Sequence, residues 1–315
     1  MTRLIHSRPR SILLLSLVTA LIAANAQAQI VLKTKPRAET KRVYHADNTT
    51  KQILTLNGMD IETESSQFII SEQTTGARGD DGSLRRTEVT KKLQQEITLP
   101  GIKLEFDSDN PDKKAPLAQL EPILDLLRVI SKSKYTFVFD KSNEVVKVEG
   151  ADEALKELTP DVRKALAGQI GGDALLKRVK NQSRRIPAEA VRVGKQWEHT
   201  TVLQLEAGQE LSIKRQYTYA GTTKKGQDTL HRITTKSLEV TLTQDPPEGS
   251  PTKITASKLK IAKGTGEILI DVKRSAVVSD SDSTRMTGSL TMEINGMSFA
   301  GTLDLTISSK VQLHK

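Results

Sequence analysis

From Val193 to the C-terminus apolar and polar residues alternate with a period of two, and no other feature of the chain limits its fold so tightly. Leu303, Leu305, Ile307, Val311 and Leu313 fall in one phase, while Asp304, Thr306, Ser308, Lys310 and Gln312 fall in the other. Successive side chains of a strand point to opposite faces, so the pattern calls for a sheet with one apolar and one wet side, as antiparallel sheets provide. The abundant threonine suits such a half-buried surface. Asn295-Gly296 stands between Ile294 and Met297, where a two-residue hairpin needs residues that tolerate positive φ. That turn would set Met292 opposite Phe299, Leu290 opposite Gly301 and Gly288 opposite Leu303, so each glycine faces a leucine.

The first part of the chain mixes two periodicities. Between Arg42 and Asp107 the spacing is again mostly two, clearest at Ile102, Leu104 and Phe106. Asn57-Gly58 between Leu56 and Met59 predicts a second tight hairpin, and residues 76–82 read as a longer polar loop. The two Asn-Gly-Met turns are alike, as an internal duplication or simply a shared turn preference would make them. From Ala115 to Ser131 the apolar positions Leu117, Leu120, Leu124, Leu127 and Ile130 mark a helix, with Pro116 near its first turn and Pro122 able to delay or bend it. Ile123, Leu126 and Val129 widen the stripe, so this helix should lie against a broad apolar surface such as a sheet. Strand character returns over Tyr135–Phe139 and Val145–Glu149. Two or three short helices are expected between about Asp152 and Asn181, with Thr159-Pro160-Asp161 as a helix start. Gly264-Thr265-Gly266 lacks the third glycine and the helix of a dinucleotide fingerprint and reads as a turn between strands. These elements define an α+β protein with a large curved antiparallel β-sheet, or sheets, and a few helices packed on one face.

The N-terminus places the chain. Arg3, His6, Arg8 and Arg10 precede an apolar run from Ile12 to Ala24 and then Ala26-Gln27-Ala28, the order of a secretory signal peptide cleaved after Ala28. The run is shorter than the roughly 20 apolar residues of a membrane-spanning helix. The expected organisation is a signal peptide over 1–28, a flexible, solvated lead-in over 29–41, an N-terminal β-rich half with helices over 42–187 and a C-terminal antiparallel β half over 188–315. The basic connector Ser183–Pro187 marks the boundary. Export to a bacterial periplasm or the cell exterior fits a chain of 315 residues with no cysteine. The formal charge of +9 falls to +6 once the three arginines of the leader are removed, a mild excess of the kind that keeps a surface soluble. No transmembrane segment is expected in the mature chain.

No catalytic constellation is evident. Absent cysteine excludes a disulfide scaffold, cysteine-ligated zinc or iron–sulfur clusters and thiol chemistry. His45, His199, His231 and His314 are scattered and form no HExxH pair, although a sheet could bring His199 and His231 together. Gly296-Met297-Ser298-Phe299-Ala300 imitates a nucleophile elbow but enters a strand rather than a helix. Asp107, Asp109 and Asp112, or Asp280 with Asp282, offer oxygen ligands, yet the glycine and glutamate of a calcium loop are missing. Arg184-Arg185 and Lys224-Lys225 are isolated doublets rather than a nucleic-acid stripe. No metal, cofactor or nucleic-acid partner is expected, and the chain is read as not an enzyme.

The candidate ligand contacts are aromatic. Phe137 and Phe139 share one strand phase and Tyr217 and Tyr219 another, with Trp197 nearby in sequence; these five would line an apolar cavity if they do not simply pack. Phe137-Val138-Phe139-Asp140 leading to Val148-Glu149-Gly150, then Val193-Gly194-Lys195-Gln196-Trp197 and a strand-rich second half, resemble a family of uncharacterised exported bacterial proteins. The resemblance implies export and architecture and no activity. Element order alone is similar to the half-barrels of periplasmic lipoprotein carriers, in which helices fill the concave face of one sheet. The functional expectation is a non-catalytic envelope protein that binds an apolar ligand such as a lipid. The alternative is a structural or assembly module that binds an envelope protein or an anionic wall polymer.

Overall fold

A computed structural model describes residues 29–160, 162–163, 168, 170–204, 208–245 and 252–314. The leader lies outside these residues, as does Asp161 of the expected helix start. The described strands are β1 (Thr40–Leu56), β2 (Met59–Thr75), β3 (Leu84–Leu99), β4 (Ile102–Asp107), β5 (Lys134–Phe139), β6 (Val145–Glu149), β7 (Gln196–Gln204), β8 (Gln209–Lys225), β9 (Asp228–Gln244), β10 (Thr252–Asp271), β11 (Ala276–Ile294) and β12 (Met297–His314). All join one antiparallel sheet in the order β6-β5-β3-β2-β1-β12-β11-β10-β9-β8-β7, with β4 extending β3 beyond β5. The two ends of the chain meet at its centre, because β1 pairs with β12 from Val43↔His314 to Leu56↔Gly301.

Both hairpins follow their turn residues. Asn57 and Gly58, like Asn295 and Gly296, all have positive φ, and Leu56↔Met59 and Ile294↔Met297 close the two ladders. Met292↔Phe299, Leu290↔Gly301 and Gly288↔Leu303 pair as the alternation requires. These glycines are there for room as well. A Cβ on Gly288 would lie 2.0 Å from the Lys258 carbonyl oxygen, and one on Gly301 would lie 2.5 Å from that of Thr55. Gly264 and Gly266 differ from expectation. They sit inside β10 rather than in a turn, because β9 and β11 crowd them: an added Cβ would come within 2.4 Å of Ser237 Cβ and 2.5 Å of the Ser281 carbonyl oxygen respectively.

Among the described residues three helices cover one face. The first, α1 (Glu121–Lys132), is preceded by a 3-10 turn over Ala118–Leu120, with Pro122 in its first turn, so the proline delays the helix and leaves Leu117 exposed. Leu124 and Leu127 pack on Leu93, Leu104 and Phe106 of the sheet. Val129 turns to Leu155 and Leu158 beside α2 (Ala151–Leu155), which explains the width of the apolar stripe. The last, α3 (Gly172–Arg184), sets Leu175, Leu176 and Val179 on the core of β5 and β6 and also touches β7. It therefore packs against both edge strands of the sheet.

The lead-in is a correction. Ile30 bridges Val191, Leu32 is buried with Ile186, Tyr217 and Ile233, and Lys35 and Ser275 exchange hydrogen bonds of 2.8 Å. The apolar Ile30 and Leu32 cap one end of the C-terminal core, which outweighs the solubility of the lysines around them. The second cluster of that half, built on Leu211, Ile213, Met286, Leu303 and Leu305, closes the other end.

Candidate functional site

Strand pairing fixes which side chains share a face. Tyr44, Ala46 and Asn48 of β1 align with Leu313, Val311 and Ser309 of β12 and with Ser71, Ile69 and Gln67 of β2. Ile69 and Gln67 align in turn with Leu93 and Gln95, so this is the face on which α1 lies. These strands are central in the sheet, yet no residue is buried from Thr40 to Thr74 or from Thr306 to His314. The helices leave most of these strands uncovered, and a trough runs along β12, β1 and β2 with Tyr44, Val311 and Leu313 partly open and Ile69 at its edge, packed against the α1 cluster.

One end of the trough is polar, a ladder of neutral side chains beside a cleft whose lining includes Asp47, Glu96, Glu105 and Asp107. Ser309 donates to Asn48 Oδ1 at 2.8 Å, Asn48 Nδ2 to Gln67 Oε1 at 3.3 Å, Gln67 Nε2 to Gln95 Oε1 at 2.8 Å and Gln95 Nε2 to Ser65 Oγ at 2.7 Å. This ladder borders an open cleft of about 580 Å³ lined also by Phe68, Phe106 and Lys113. Glu105, in the same cleft, is held down to about 2 by the ammonium groups of Lys113 and Lys103.

The other end is cationic. Arg86 faces the same side as Leu84 and Phe137, and its guanidinium stacks over the rings of Phe137 and Phe139 at 5.2 and 5.1 Å. Burial lowers its pKa from the usual guanidinium value, with Glu88, Tyr44 and Arg42 as its electrostatic neighbours. Glu88 accepts a hydrogen bond from Gln73 Nε2 at 2.9 Å, and Arg42 donates to the carbonyls of Arg274 and Ser275.

The five aromatic residues divide into two groups that the fold keeps apart. Phe137 and Phe139 are buried with Leu84, Val145 and Val148 beneath α3. Tyr217 and Tyr219 are buried in the C-terminal core, and Trp197 packs against them, its ring 5.8 Å from that of Tyr217 and its Nε1 donating to the Arg185 carbonyl at 2.8 Å. His199 and His231 do not meet. His199 lies 3.4 Å from Asn181 Oδ1, whereas His231 Nδ1 is 2.7 Å from the Tyr219 hydroxyl, and burial lowers both imidazole pKa values. The partly buried carboxylates Asp280 and Asp282 are taken by Arg185 at 2.6 Å and Arg215 at 2.7 Å, and the buried Asp271 pairs with Arg274. Among the described residues no cluster of histidine and acidic side chains is arranged to hold a metal.

Arg86 and the amide ladder escape a reading that searches for catalytic motifs. Phase marks Arg215, which follows Ile213 by two in an otherwise apolar strand register; Arg86 follows Leu84 by two, but its phase continues with Glu88 and Thr90, and only the pairing with Phe137 shows it turned inward.

No helix among the described residues is long and apolar enough to cross a membrane. On the outward face of β8, Ser212, Lys214, Gln216 and Thr218 point away from the core, and Lys214 pairs with Glu198 and Glu239.

The translocator domain of the autotransporter NalP from Neisseria meningitidis aligns over 88% of this chain and 89% of its own, at 7% identity and a TM-score of 0.21. OccK5 (OpdH) of Pseudomonas aeruginosa aligns over 88% and 99%, at 6% identity and a TM-score of 0.24. Such scores are too low to mark a common fold. No curated protein matches the sequence. A family model does match, over residues 87–274, from β3 to the turn between β10 and β11 and more than half of the chain. The protein belongs to the family of unknown function DUF6263.

Proposed function

We propose that this protein is a non-catalytic, exported envelope protein that holds an amphipathic, lipid-like ligand along the trough of β12, β1 and β2. The observation that carries the reading is that three adjacent central strands bury no residue from Thr40 to Thr74 and from Thr306 to His314. Elsewhere the same face is packed shut by helices or by the opposite wall of the curled sheet. A trough with half-open Tyr44, Val311 and Leu313 between an amide ladder and arginines offers apolar contact along its length and polar contact at its ends, the mixture that small-molecule sites use. Under this reading Phe137 and Phe139 form the wall behind Arg86, and Trp197, Tyr217 and Tyr219 support the other half of the sheet.

The test is extraction of bound lipid from protein purified without detergent, followed by native mass spectrometry. A co-purifying acyl-bearing species, lost when Ala46→Trp and Ile69→Trp fill the trough, is the expected result. A ligand-free mass, with no acyl compound raising the melting temperature, would refute the reading.

The assembly alternative draws on a different surface. Met59 and Met297 are 69% and 62% exposed at the tips of the two Asn-Gly hairpins, which are neighbours through the β1–β12 ladder. A pair of flexible apolar side chains at adjacent tips suits contact with another envelope protein. Retention of such a partner by wild type, and its loss in Met59→Ser/Met297→Ser, would favour this version.

A further inference from the structure

Several arginines of the fold are neutralised locally. Arg128, Arg185, Arg215 and Arg274 each have a carboxylate within 2.9 Å. Arg86 does not: it makes no ion pair with any described residue, and its Nε is the one buried side-chain nitrogen or oxygen among them with no hydrogen-bond partner. Its electrostatic surroundings are a carboxylate already bonded to Gln73, a phenol and a second arginine. A guanidinium withdrawn from water without a carboxylate is costly, and two phenyl faces compensate it only in part. The residue as a whole retains accessible surface. Because Nε is sealed, the donors with room for another partner are the two terminal nitrogens, the fork that binds planar or tetrahedral oxyanions in pairs.

We propose that Arg86, backed by Phe137 and Phe139 and flanked by Tyr44, is the seat of the ligand's oxyanion head, a carboxylate or phosphate on an acyl chain lying in the trough. The inference rests on the lipid reading for the tail and on Arg86 alone for the head. Charge complementarity decides the occupant: a neutral tail has no use for a desolvated guanidinium, and a cationic head would be repelled by Arg86 and Arg42 together.

The experiment is calorimetric titration of the delipidated full-length exported protein with palmitate, hexadecanol and inorganic phosphate. Wild type is expected to bind palmitate at least tenfold more tightly than hexadecanol. Arg86→Gln should abolish that preference while binding hexadecanol as wild type does, and Arg86→Lys should keep part of it. Equal binding of both amphiphiles by wild type, or a preference surviving in Arg86→Gln, overturns the head-group assignment and leaves the lipid reading standing. Arg86-dependent binding of phosphate with neither amphiphile bound supports the oxyanion seat and refutes the lipid reading. Binding of none of the three overturns both. Ligand-free Arg86→Gln should melt at or above the wild-type temperature, as expected when a costly charge is removed. A melting point more than a few degrees lower would identify the stacked guanidinium as packing and sink the proposal.

Discussion

Replacing Arg215 by methionine tests how the interior tolerates charge. Arg215 is 8% exposed and sits between the two apolar clusters of the C-terminal half, 2.7 Å from Asp282. Breaking a buried ion pair from one side costs about 3–5 kcal/mol; because the Asp282 side chain is 30% exposed, we expect about 2–3 kcal/mol at pH 7. For a domain of this size that is a fall in melting temperature of about 5–10 °C. Burial already holds the Asp282 carboxyl above its ordinary value, with Arg215 opposing and Asp280 reinforcing the shift. Removing Arg215 raises it further. A raised carboxyl contributes stability in full below its unfolded pKa and loses it as pH rises through the folded value, so the penalty should be small near pH 4 and grow toward pH 7. Arg215→Met/Asp282→Asn, which removes both charges, should recover most of the loss at pH 7. Melting curves of the four proteins by circular dichroism, compared at each pH, provide the measurement. A penalty independent of pH, or one that Asp282→Asn does not relieve, would show that Arg215 acts by packing and refute the electrostatic account.

Further substitutions probe other levels of the fold. Gly288→Ala directs a methyl into the Lys258 carbonyl and should cost at least about 3 kcal/mol, whereas Gly76→Ala, with open space around it, should stay within about 0.5 kcal/mol by the same melting assay. Gly58→Ala and Gly296→Ala have room but positive φ, so each should cost about 1 kcal/mol through backbone strain alone, read from denaturant midpoints. His199 and His231 are held neutral by burial, so their contribution is present above pH 6.5 and fades as pH falls through the depressed values. Wild-type melting temperature should therefore drop between pH 7 and pH 5, and a His199→Asn/His231→Gln protein should show a flatter profile.

The parts of the fold legible in the sequence are those specified by local chemistry. Asn295-Gly296 admits one turn geometry, and once its register is set Leu290 and Leu303 must oppose glycines. Pro122 and the stripe from Leu120 to Ile130 likewise define a helix and its buried side. What was not legible depends on distant strands. Gly264 and Gly266 resemble turn residues until β9 and β11 are known to press on them, and Ile30 and Leu32 look solvated among lysines until Val191 and Tyr217 are beside them. The trough belongs to the same class. The residues of β1 and β2 alternate no differently from those of covered strands, and only the reach of α1 and α3 decides which part of the face stays open. Arg85 and Arg86 form a doublet in sequence, yet Arg85 points out to Glu149 and Arg86 points in between two phenyl rings.

The ladder between β1 and β12 also sets a schedule for folding. Asn48 and Ser309, hydrogen-bonded partners, are 261 positions apart, so the centre of the sheet cannot assemble until nearly the last residue is available. A nascent chain of this design leaves its first strand unpaired on one side until the last strand has emerged. Closure across such a span is slow, and the exposed first strand must be shielded during the wait.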